Sequence, residues 1–265
     1  MTPRTPLILL VFSSLLAAFC TRVSAQESHI GNLTGNAKRG NDLYRRYCIG
    51  CHGRYGDGNG ESAAHLDPKP RDFTKATFKC RSTPSGSLPT DSDLYDTISR
   101  GLYNSGMPSW RPLTRQQRAD LIAYIKTFSP RFQEEKPSTP LSIPAEPPTS
   151  PESIQRGADL FQKMNCWSCH GKEGRGNGPS ALTLTDTRGY PILPFDLTSG
   201  THFKCGQTDQ DLFKDLTTGL DGTPMPSFTD ALKPDQIWDL VHYVQTLRVS
   251  NTGFFHHSKP ASKTN

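Results

Sequence analysis

Two stretches of the chain, Cys48-Ile49-Gly50-Cys51-His52 and Cys166-Trp167-Ser168-Cys169-His170, carry the residues best suited to chemistry. Two thiols one helical turn apart can each add to a vinyl group of haem, and the histidine that follows then lies under the iron as a proximal ligand. A single CxxCH is a weak signal, because a zinc knuckle, or a disulfide pair followed by an incidental histidine, is spelled the same way. Two copies in matching surroundings are a strong one. Cys48, Cys51, Cys166 and Cys169 are therefore expected to attach two haem c groups covalently, with His52 and His170 as axial ligands to the irons.

The sixth ligand follows from spacing. Met107 stands 107 − 52 = 55 residues after its histidine and Met225 stands 225 − 170 = 55 after its own. That register survives although the segments between differ in length, which simple packing methionines would not require. Met164 has no counterpart in the first half and is read as packing. An iron held between imidazole and thioether is six-coordinate, has no vacant position for a substrate and reorganises little on gaining an electron; the soft sulfur also favours Fe(II). Prolines beside each methionine, Pro108 and the pair Pro224 and Pro226, stiffen the ligand loop. The carbonyls of Pro70 and Pro194 are candidate acceptors for the second ring nitrogen of His52 and His170, with Pro68 and Pro191 as close competitors. Trp110 is a candidate donor to a haem propionate, a role that Phe228 at the matching place cannot fill.

These residues need elements to hold them, and the elements recur with them. Arg39-Gly40-Asn41-Asp42-Leu43-Tyr44 is echoed by Arg156-Gly157-Ala158-Asp159-Leu160-Phe161, and the two CxxCH motifs lie 166 − 48 = 118 residues apart. The pattern predicts a helix over 36–47 that ends at the first motif. Capping sequences at Thr90 to Asp93 and Thr208 to Asp211 open a second helix in each half, ended by Gly101 and Gly219. A last helix over 114–128 keeps Leu121, Tyr124, Ile125 and Phe128 on one stripe, and its counterpart has Pro234 at its first position. No alternating run calls for a sheet.

Composition sets the remaining bounds. The 265 residues suit two small domains, and a hydrophobic content of 34% is thin for cores built from side chains alone, a deficit that a buried porphyrin in each would fill. A formal charge of +5 on scattered basic residues gives no footprint for nucleic acid. Residues 1–25 read as a cleavable signal peptide, 26–35 as a polar lead-in and 251–265 as a disordered tail; no stretch is long enough to span a bilayer. Export together with CxxCH chemistry points to a bacterial periplasm. Seven prolines between residues 129 and 151 make a semi-rigid spacer, so that a first domain spans 36–130, a linker 131–151 and a second domain 152–250.

Each half resembles a class I c-type cytochrome. The first has Gly40 and Tyr44 ahead of Cys48-x-x-Cys51-His52, then Met107 and a last helix bearing Tyr124. The second has Gly157, Phe161, Cys166-x-x-Cys169-His170, Met225 and Tyr243. The resemblance covers about 36–130 and 152–248. It implies an all-α fold of two tandem cytochrome c domains, whose first and last helices cross through the glycine and aromatic positions just named. It also implies a soluble carrier that relays single electrons between redox partner proteins. The rival is a dihaem oxidoreductase, of thiosulfate dehydrogenase or peroxidase type, with one chemically active haem.

Cys80 and Cys205 depart from that family's pattern while occupying equivalent places in Phe78-Lys79-Cys80 and Phe203-Lys204-Cys205. Burial as small packing residues is the leading reading. A disulfide between the domains comes second and thiolate ligation of an iron third.

Overall fold

A computed structural model describes residues 27–248; the expected signal peptide and tail fall outside these. The order of elements is a short antiparallel hairpin, β1 (His29–Ile30) and β2 (Leu33–Thr34), followed by helices α1 (Ala37–Tyr47), α2 (Ile49–His52), α3 (Asp91–Arg100), α4 (Arg115–Ile125), α5 (Arg131–Glu134), α6 (Pro151–Lys163), α7 (Cys166–His170), α8 (Asp209–Thr218) and α9 (Pro234–Leu247). The hairpin corrects the polar lead-in: Ile30 is buried, and the Ser28 hydroxyl donates to the Ala119 carbonyl at 2.7 Å.

Helix ends fall where local chemistry puts them. Asn36 caps α1, and reciprocal capping boxes open α3 (Thr90 with Asp93), α4 (Thr114 with Gln117) and α8 (Thr208 with Asp211). Pro151 and Pro234 occupy first-turn positions of α6 and α9, where a missing N–H is harmless. Among the described residues no helix is long and apolar enough to cross a membrane.

Each half buries its own core, and the two cores share no residue. In the first, α1 crosses α4 so tightly that a Cβ on Gly40 would stand 2.0 Å from the Asp120 carbonyl oxygen; in the second, Gly157 on α6 meets the Asp239 carbonyl of α9 at the same 2.0 Å. Beside each crossing the aromatic pair is in contact, Tyr44 with Tyr124 at 5.2 Å and Phe161 with Tyr243 at 5.4 Å between ring centres. A bidentate ion pair locks it: Arg39 to Asp120 at 2.7 and 2.8 Å, Arg156 to Asp239 at 2.7 and 2.8 Å.

The halves are joined by more than the proline-rich spacer. Cys80 and Cys205 form a disulfide with Cα atoms 5.3 Å apart, which corrects the packing reading and removes both thiols as iron ligands. Around it, Arg81 donates to the Thr218 carbonyl at 2.6 Å and pairs with Asp221 at 2.8 Å. In the opposite direction Arg188 donates to the Pro70 carbonyl at 2.9 Å. Each arginine sits in a segment that only its own half has lengthened. Nine residues separate Cys80 from Thr90 where two separate Cys205 from Thr208, and 32 separate His170 from Phe203 where 25 separate His52 from Phe78. The two surpluses of seven cancel, which is why the methionines keep one spacing.

Candidate functional site

Each CxxCH motif lies on a single helical turn, α2 or α7, directly after the helix that crosses the back of its half. The turn lines a cleft that the methionine loop also lines. In the first half the cleft is lined by Cys48, Cys51, His52, Met107 and Trp110; in the second, by Cys166, Cys169, His170, Met225 and Phe228. Thus every residue expected to attach or ligate haem reaches one cleft per half. The second cleft has a volume of about 720 Å³ and the first a narrower one of about 120 Å³.

The methionine loops are tied down by matching bonds. The Leu102 amide donates to the Met107 carbonyl at 3.1 Å and the Leu220 amide to the Met225 carbonyl at 3.1 Å. Ser109 and Ser227 hydroxyls reach back to the Ser99 and Thr217 carbonyls at 2.7 and 2.6 Å, and the amides of Trp110 and Phe228 to Ile98 and Leu216 at 3.1 and 3.0 Å. The loop is therefore stitched to the end of α3 or α8. Trp110 packs against Tyr47 at 5.4 Å between ring centres.

His52 Nδ1 lies 3.0 Å from the Arg71 carbonyl and His170 Nδ1 lies 3.0 Å from the Phe195 carbonyl. The acceptor is thus one residue beyond the expected Pro70 and Pro194. The physical reason is close approach of the glycine loop: a Cβ on Gly58 or Gly176 would stand 2.6 or 2.7 Å from the Pro70 or Pro194 carbonyl, so those carbonyls face the loop, and Pro70 also accepts from Arg188. With Nδ1 as donor, the tautomer leaves Nε2 a bare lone pair. Burial drives both imidazoles below their ordinary pKa, which keeps them neutral as a metal ligand must be.

The chemistry of the lining fits haem. Burial pushes the Cys48 thiol up to about 12 and the Cys166 thiol up to about 11, so these are protonated thiols in an apolar wall. All four motif cysteines are unbridged, and among the described residues no three of His, Cys, Asp and Glu converge as a zinc knuckle would require. Lys79 and Lys204, with Pro68, line both clefts at once, so the two clefts share a wall. Burial lowers both lysines, Lys79 to about 7 with Arg71 and Lys204 adding repulsion. Half-buried lysines at the rim of an apolar slot suit a flat apolar ring that carries carboxylates, whose charge would favour the protonated amines. No motif marks these lysines as functional, nor Asp120 and Asp239, although each aspartate precedes the tyrosine of its crossing, Tyr124 or Tyr243, by four residues in both halves.

Comparison with known proteins agrees with this geometry. The cytochrome c family matches residues 154–248, and the family of cytochrome c oxidase, cbb3-type, subunit III matches residues 35–125. The cbb3-type cytochrome c oxidase subunit CcoP of Helicobacter pylori is 30% identical over 88 residues, which is 32% of this chain and 30% of that protein. The chain therefore spans less than a third of that relative's length. A chain of the Kuenenia stuttgartiensis reducing HAO-like protein complex is 45% identical, with a TM-score of 0.78, over 80% of this chain and 96% of that one.

Proposed function

We propose, from the premise that this chain belongs to the class I dihaem c-type cytochromes, that it carries single electrons between redox partner proteins in a bacterial periplasm, through two haem c groups bound covalently at Cys48, Cys51, Cys166 and Cys169. Bound haem supplies the one-electron iron couple. The observation that carries the reading is that an imidazole and a thioether line one cleft in each half, His52 with Met107 and His170 with Met225.

In this reading the residues of the chain hold and tune. The Arg71 and Phe195 carbonyls orient the proximal imidazoles and raise their basicity. The stitched loops would hold the Met107 and Met225 thioethers as the second ligand of a bound haem in each half. Lys79 and Lys204 would pair with the carboxylates of bound haem at the shared wall, and Trp110 would supply a further donor in the first half. That shared wall supports passage of an electron from one half to the other. Similarity to an oxidase subunit and to a chain of an HAO-like complex points to haem enzymes as those partners. The carrier reading is favoured over a thiosulfate dehydrogenase, because the cysteines that could supply a thiolate ligand are held in the disulfide.

The test is replacement of each methionine by alanine, read by redox titration and visible absorption. Met107→Ala and Met225→Ala should each lower one midpoint potential and alter one haem's spectrum. Both potentials and spectra unchanged would overturn the reading.

A further inference from the structure

One buried acid takes no part in the structure described so far. Asp215 on α8 lines the second cleft and is only 7% exposed, and its Oδ1 is fully buried without a hydrogen-bond partner among the described residues. Thr97 on α3 occupies the same place in the first half, 215 − 97 = 118 residues earlier, and lines the first cleft. One half therefore presents a hydroxyl where the other presents a carboxyl.

The charged groups near Asp215 do not neutralise it. Lys214 on its own helix is paired with Asp211 at 3.2 Å. Arg81, from the segment before α3, is committed to Asp221 and the Thr218 carbonyl. Arg100, at the end of α3, is within electrostatic reach but forms no ion pair with it, and its own Nε is buried without a partner. Asp211 adds like-charge repulsion. Burial pushes the Asp215 carboxyl up to about 7, against the opposing pull of Lys214 and the two arginines. A carboxyl so placed gains or loses a proton in response to one added charge nearby.

We propose that Asp215 takes up a proton from solvent when the second half receives its electron and releases it on oxidation, so that this half carries an electron with a proton. The proposal rests on the carrier reading above. The balance is simple: one electron arrives from the donor protein, one proton from water converts the Asp215 carboxylate to the acid, and both leave together on reoxidation. The coupling is electrostatic, since negative charge entering a low-dielectric cleft makes the neutral acid the cheaper neighbour.

The experiment is a redox titration of the intact two-haem protein between about pH 5 and 9, with proton uptake on reduction followed by an indicator dye in weak buffer. In the wild type one of the two waves should fall with rising pH near neutrality, approaching a tenfold change in the reduced-to-oxidised ratio per pH unit, which is 59 mV for one electron. Asp215→Asn should flatten that wave, leave the slope of the other, and abolish the corresponding proton uptake. Asp215→Thr, which copies the residue the first half already carries, is read in the same way if the amide variant folds poorly. Two waves flat with pH in the wild type, or a slope that persists in either variant, overturns the proposal. In either case the His/Met spectra of both haems still report whether the carrier reading stands.

Discussion

Arg81 meets Asp221 at 2.8 Å across the seam between the halves, its side chain wholly out of water and that of Asp221 14% exposed. Asp221 also accepts from the Ser85 hydroxyl and the Gly86 amide, each at 2.8 Å. A long-range ion pair thus holds an inserted loop of one half on the end of α8 in the other. Removing one partner of such a pair strands the other charge, and Asp221→Asn should lower stability by roughly 3 kcal/mol. Arg81→Met strands the Asp221 carboxylate and also takes the donor from the Thr218 and Phe78 carbonyls, so it should cost more. Urea unfolding of both variants checks the order, and equal losses would count against it.

The disulfide closes a loop between residues 125 positions apart, so it restricts the unfolded chain strongly. Replacing Cys80 and Cys205 together by alanine should lower stability by about 2–4 kcal/mol. Each half keeps its own core, and both haems should remain bound. Electron exchange between the two haems should slow as the shared wall of Pro68, Lys79 and Lys204 loosens. Stopped-flow reduction of the double variant at an unchanged rate of internal exchange would contradict this.

Gly157 leaves no room at the crossing of α6 and α9. Gly157→Ala must push the helices apart, since its Cβ would fall 2.0 Å from a backbone oxygen that cannot turn aside. Overpacking of this sort costs about 1–3 kcal/mol or more. Because the cores are separate, the second half should lose order first. Visible absorption during urea unfolding should show one haem losing its methionine-ligation signature at lower urea than in the wild type, with the other unchanged; two unshifted transitions would contradict this.

Asp120 gives an acid-limb prediction. Burial raises its pKa, but bonds from Arg39, Gln116 and the Asn36 amide outweigh burial and hold the carboxyl below its ordinary 3.8. Because the folded value lies below the unfolded one, the stabilisation is complete above 3.8 and is lost as pH falls through the lower folded value. Asp120→Asn should therefore be less stable than wild type at neutral pH, with the gap closing as the medium becomes more acidic than 3.8. Thermal unfolding at a series of pH values reads the gap directly, and a constant difference would exclude the ionised pair as its source.

Much of the site was legible without the fold because its chemistry is local. Cys48, Cys51 and His52 sit on one turn whatever the rest of the chain does, and the caps at Thr90, Thr114 and Thr208 act on amides three residues away. The repeat extended that reach, since Met107 and Met225 were identified by a shared count of residues. Contacts between segments distant in sequence were not legible. Which carbonyl meets His52 depends on how closely Gly58 lets its loop approach Pro70, and a shift of one residue along an extended strand turns the carbonyl to the other side.

The amino-acid order by itself determined the two CxxCH motifs, the two-fold repeat, the helical class and the shared spacing of Met107 and Met225, because each is written in neighbouring residues or in equal counts. Only the tertiary structure decided that Cys80 bonds to Cys205, that Lys79 and Lys204 stand between two adjoining clefts, and that Asp215 Oδ1 is buried without a partner among the described residues. Those facts depend on which surfaces the two halves turn toward each other, and that orientation is set by contacts between residues more than a hundred positions apart, such as Arg81 with Thr218 and Arg188 with Pro70.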